Sequence, residues 1–177
     1  LLKEKIYVPL VSEIENLFLI PKVIELVAKK QNIENVDDLL EQTKAKTIEF
    51  LQEHLEEQSL LFAKKRCQNT INNICNQPTS TIEEYKASLD GVVDIVNPQE
   101  EYNKAREELQ KIIDDKDYLA ALKVINNKGL LPSTNLPNVF GWKKQYYIEY
   151  VIRLLESKDS ASEELCDIFR EYVPVEI

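Results

Sequence analysis

The sequence predicts a mainly α-helical protein: a helical domain of about six or seven helices preceded by one short N-terminal β-strand. Three observations predict it. After Pro21, apolar residues recur at intervals of three and four along most of the chain. Only 3 of the 177 residues are glycine, too few for a large β-protein with many tight turns. The one stretch of strand character is the opening apolar run from Ile6 to Ile20, IYVPLVSEIENLFLI.

Tyr7, Val8, Val11 and Ile14 suit a pleated surface in that run. Pro9 lacks an N–H and fits a strand start, bulge or edge better than a central ladder position. Glu13 and Glu15 lie two residues apart, so in an extended chain both carboxylates point to one side. Two carboxylates at the end of an apolar strand are candidate oxygen ligands for a divalent cation. The plainer alternative is a polar edge beside a buried face.

Pro21 suits the first position of a helix running to about Gln31, with Val23, Ile24, Leu26 and Val27 apolar. Asn35 is an N-cap candidate, and Asp37 and Asp38 favour the positive end of the next helix. Leu40, Ile48, Leu51, Leu55 and Phe62 then recur near helical spacing. They predict either one long helix to about Asn76 or two with a break near Gln58 and Ser59. His54, the sole histidine, has no second His or Cys at a ligand offset and is read as a surface residue. Lys64, Lys65 and Arg66 are the densest basic run and read as a solvated helix face.

Gln77-Pro78-Thr79 breaks the helix, and Ser80 with Glu83 matches a capping box. A short helix to about Leu89 places Ile82, Tyr85 and Leu89 on one face. Val92, Val93, Ile95 and Val96 predict a strand or a buried loop. Asn97-Pro98 with Glu100 opens a helix bearing Tyr102, Ala105, Leu109, Ile112 and Ile113. Asp115-Lys116-Asp117 has the spacing of a paired-carboxylate metal motif. No apolar strand precedes it, so it reads as a loop and helix start.

Tyr118 to Asn127 predicts a helix, with Gly129 at its C-cap and Pro132 preventing continuation. Lys128 then sits either at a helix end favoured by the dipole or on a tight turn aimed at a phosphate. The glycine spacing of a P-loop is absent. Ser133 to Gly141 reads as an ordered loop anchored by Pro137, Phe140 and Trp142. The helix after it carries Tyr147, Tyr150, Val151, Leu154 and Leu155 on one face, its tyrosines read as core-edge residues. Ser160 with Glu163 matches another capping box, opening a helix with Leu165, Ile168, Phe169 and Tyr172.

The chain carries 22 basic and 31 acidic residues, a net charge of −9 that opposes non-specific nucleic-acid binding. No apolar run reaches the length of a membrane span. Cys67, Cys75 and Cys166 fit neither a zinc spacing nor a disulfide framework, so a cytoplasmic location is expected. The chain starts at Leu and contains no Met, which is read as a piece of a larger α/β polypeptide.

The run PLVSEIENLFLIPKVIELVA resembles a late segment of TOPRIM-type nuclease domains of the OLD (overcoming lysogenisation defect) group. Farther on, DYLAALKVINNKGLLPS resembles the lysine-bearing helix-and-turn segment of the same group. The resemblance implies that residues 1–20 end a TOPRIM-like sheet and that residues 21–177 form a helical C-terminal domain. It implies a metal-dependent phosphodiesterase scheme, with a divalent cation, Mg or Mn, activating water. Glu15 matches the late acidic ligand, with Glu13 beside it, and Lys128 matches the lysine that stabilises phosphate charge. An ATPase domain or subunit and DNA are the implied partners, phage defence the implied setting, and an oligomer is compatible with both. The family's earlier Glu-bearing strand and its strand with Asp-x-Asp do not precede Glu15 here, so the isolated chain is expected to be inactive. The rival expectation is a non-catalytic helical interaction or regulatory module of an ATPase.

Overall fold

The computed structural model describes residues 11–173, apart from the side chains of Val93 and Asp94. A 3-10 helix, Ile14–Leu19, leads into α1 (Pro21–Lys30), α2 (Val36–Glu53), α3 (Leu55–Cys75) and α4 (Ile82–Asp90). There follow α5 (Val92–Ile95), α6 (Pro98–Asp114), α7 (Tyr118–Val124), α8 (Leu130–Ser133), α9 (Leu136–Val139), α10 (Lys144–Glu156) and α11 (Ser160–Tyr172). The chain divides into two compact units. One joins the residues up to Leu51 with those from Asp115 onward; the other is Gln52–Asp114.

The described residues contain no β-strand, which corrects the expectation for the opening run. Its segment Ile6 to Leu10 lies outside the described residues. Beyond it, Glu13 is extended at φ −122° and ψ 136°, and the chain then coils. Ile14 is exposed, while Leu17, Leu19 and Ile20 are buried. A 3-10 coil buries them against helices instead of a sheet. Val92–Ile95 is likewise helical, not a strand.

In the first unit the core is built on α1. Pro21 stands at its first position, where the missing N–H costs nothing. Val23, Ile24, Val27 and Ala28 are fully buried. Leu122, Ile125, Leu130, Leu131, Leu136, Tyr147, Val151 and Leu165 complete this core. The N-cap of the last helix is Asp159, one residue before the expected Ser160. The Asp159 Oδ1 accepts from the N–H groups of Ala161 at 3.0 Å and Ser162 at 3.1 Å.

In the second unit α3 packs against α6. Leu55, Gln58, Ser59 and Ala63 are buried on α3; Ala105, Leu109 and Ile113, four residues apart, are buried on α6. The break before α3 falls at His54 rather than near Gln58. His54 is half-buried there, not a fully exposed residue. Arg66 is half-buried on this face: it reaches Glu108 at 2.5 Å and Glu101 at 3.8 Å, over the Phe62 ring. These acids, the Glu108 hydrogen bond first, raise its pKa further. Lys64 and Lys65 are exposed, as expected. The capping box of α4 is Thr81 with Glu84, one residue beyond the expected pair. Among the described residues, no helix is long and apolar enough to cross a membrane.

Candidate functional site

Four consecutive carbonyls at the C-terminal end of an α-helix lack intrahelical partners. At the end of α7 the opening segment supplies partners to three carbonyls. The Asn16 amide donates to the carbonyls of Leu122 and Ile125, each at 2.9 Å, from positions 106 and 109 residues away. The Ser12 hydroxyl donates to the Lys123 carbonyl at 2.6 Å. In return, two tyrosines of the helical body hold the 3-10 helix. Tyr118 donates to the Leu19 carbonyl, and Tyr147 to the Phe18 carbonyl at 3.0 Å. Burial raises the pKa of both phenols, so both stay protonated donors at any ordinary pH.

This frame positions Glu15. Its Oε2 is shut off from solvent and lies 2.5 Å from the Lys144 ammonium. The approach is charge to charge, without the alignment of a hydrogen bond. The same ammonium donates to the Lys128 carbonyl at 2.9 Å. Lys144 is the first residue of α10, where the positive end of the helix disfavours a cation. The Glu15 carboxylate offsets that repulsion.

The two stretches singled out in the sequence therefore pack together, and Glu15 is joined to Lys128 through Lys144. Lys128 contributes its carbonyl; its side chain is exposed and makes no ion pair among the described residues. The expected C-cap at Gly129 is corrected. The α7 helix ends at Val124, and Gly129 instead precedes α8 with φ −76°. There its N–H donates to the Asn127 side chain at 2.7 Å, and a Cβ at Gly129 would crowd that oxygen to 2.9 Å. Lys128 thus sits on a tight turn rather than at a helix end. Glu13 is half-buried, and its carbonyl accepts from the Asn16 N–H at 2.9 Å.

A divalent cation takes about six or more oxygen ligands. Among the described residues, no group of three or more His, Cys, Asp or Glu is arranged to hold a metal. Glu15, engaged by an ammonium, is at most one wall of such a site. Asp117 caps α7 through the Ala120 N–H at 3.0 Å, as a helix-start reading requires. The three cysteines are free and half-buried.

Sequence reasoning missed Ser12, Asn16 and Lys144. Lys144 carried one signal: a lysine in the first turn of a helix calls for an outside carboxylate. No family model matches the chain, and no curated protein or solved structure is significantly similar to it.

Proposed function

We propose that this chain is the helical C-terminal part of a TOPRIM-like, metal-dependent nuclease coupled to an ATPase and acting in phage defence. The observation that supports this reading is the meeting of Glu15 and Lys128 at one ammonium, from stretches more than a hundred residues apart. Both stretches are the ones that resemble the OLD group. On this reading Glu15, with Glu13, lends acidic ligands to an ion site whose other ligands belong to the larger protein. Lys128, exposed on its turn, faces the phosphate. The described residues do not complete that site, so no chemical step is assigned to them alone.

The experiment is DNA cleavage with Mg or Mn by the larger protein, comparing wild type with Glu15→Gln and Lys128→Ala. The reading expects both variants to lose cleavage while remaining folded. Undiminished cleavage by both contradicts it.

A second reading is a non-catalytic interaction module of an ATPase, favoured by α4. That helix buries none of its residues and leaves Ile82, Tyr85 and Leu89 exposed on one face. If this reading holds, Ile82→Glu abolishes capture of the ATPase partner while Glu15→Gln changes nothing.

A further inference from the structure

We infer that the face carrying Trp142 and Tyr146 binds single-stranded nucleic acid. This rests on the proposed function in taking nucleic acid as the ligand, and it names the strand form engaged. The first support is charge. In a chain with 31 acidic and 22 basic residues, no Asp or Glu occurs between Asp117 and Glu149. That interval holds Lys123, Lys128, Lys143 and Lys144. The Lys144 ammonium is paired with Glu15 and donates to the Lys128 carbonyl, which brings the Lys128 turn to the start of α10, two residues after Trp142. Lys128 and Lys143 are exposed.

The second support is an aromatic stack that rises from the core to the surface. Tyr147 is fully buried and stacks on Phe140 with centroids 5.7 Å apart. Phe140 stacks on Trp142 at 5.2 Å, and Trp142 meets the ring of Tyr146 edge-on at 5.2 Å. Gly141, at φ +71°, makes the turn that presents Trp142, and the Trp142 N–H donates to the Pro137 carbonyl at 3.0 Å. At the outer end Tyr146 is 45% exposed.

Supported rings beside lysines suit a chain of unpaired bases. Every base offers a π-face, and the phosphates meet the ammonium groups. A duplex keeps its bases stacked on one another and offers such rings nothing. Glu15 reaches into this interval, but its charge is matched by Lys144, which leaves exposed Lys128 and Lys143 to meet phosphates.

Trp142 is the only tryptophan, so its fluorescence reports on this face without a label. The purified 177-residue chain, free of metal, is titrated with oligothymidine and with a blunt duplex of equal length. The single strand should quench, with affinity falling as salt rises. Tyr146→Ala should weaken binding about tenfold, from a stacking contribution of about 1–3 kcal/mol per base. Tyr146→Phe should retain it. Lys143→Glu should weaken binding and lower the salt slope by about 1. Both positions are exposed, and circular dichroism checks that the variants fold. No quenching by oligothymidine at low salt, equal quenching by the duplex, or wild-type binding by both weakening variants overturns the inference. The assay involves neither cation nor cleavage, so its failure leaves the Glu15 experiment standing. A chain that binds oligothymidine while Glu15→Gln leaves cleavage intact overturns the nuclease reading alone.

Discussion

Glu15 and Lys144 lie 129 positions apart in the chain, yet their charged groups meet at 2.5 Å, with a carboxylate oxygen closed off from water. The Glu15 and Lys144 side chains are only 21% and 30% exposed, so solvent screens the pair less than it screens the other ion pairs of this unit. A double-mutant cycle with Glu15→Gln and Lys144→Met should return a coupling of about 1 kcal/mol in urea unfolding. A coupling indistinguishable from zero would mean the two groups do not meet in solution.

Asn16 should matter more. Its amide satisfies two carbonyls at the end of α7, and it is 1% exposed. Asn16→Ala leaves both acceptors buried and unpaired, at about 1–3 kcal/mol each before relaxation. Urea unfolding should show a loss of at least about 2 kcal/mol. Ser12→Ala, on an exposed residue, should cost less than Asn16→Ala.

In the second unit, Thr81→Ala removes the hydroxyl that accepts from the Glu84 N–H at 3.2 Å. Because α4 buries no residue, its cap is a main local support. The expected loss is about 1 kcal/mol, read as faster amide exchange confined to α4. Unchanged exchange there would show that the capping box contributes nothing.

The Asp159 carboxylate is held below its ordinary pKa of 3.8, first by the Ser157 hydroxyl and then by the Ser162 N–H. A depressed acid stabilises the fold fully above the ordinary value and loses that contribution as pH falls through the lower native one. Thermal unfolding of wild type should therefore fall more steeply below about pH 4 than that of Asp159→Asn. Parallel acid limbs would contradict this.

Helices were legible wherever a long apolar stripe and start chemistry coincided. Pro21 opens α1, Asn97-Pro98 opens α6, and the Tyr147–Val151 stripe marks α10. The short α5, α8 and α9 span four residues each, too few for a helical period to show, which is why more helices form than expected. The Ile14–Leu19 coil misled for a different reason. Its burial comes from helices distant in sequence, and a continuous apolar run reads alike as strand or as buried coil. Glu15 stood out from its local pattern, but its partner did not, since nothing near Lys144 in sequence points to the N-terminal segment. The tyrosines of α10 divide accordingly: Tyr147 is core, Tyr150 accepts from the Gln31 amide at 2.7 Å, and exposed Tyr146 lies off the predicted stripe.

The central claim is that Glu15 belongs to an ion site completed by a larger protein. Cleavage of plasmid DNA in Mn, by that protein and by its Glu15→Gln variant, tests it most directly. The account predicts cleavage by the first, none by the second, and none by the isolated 177-residue chain. Equal cleavage by both larger proteins, or Mn-dependent cleavage by the isolated chain, would contradict it.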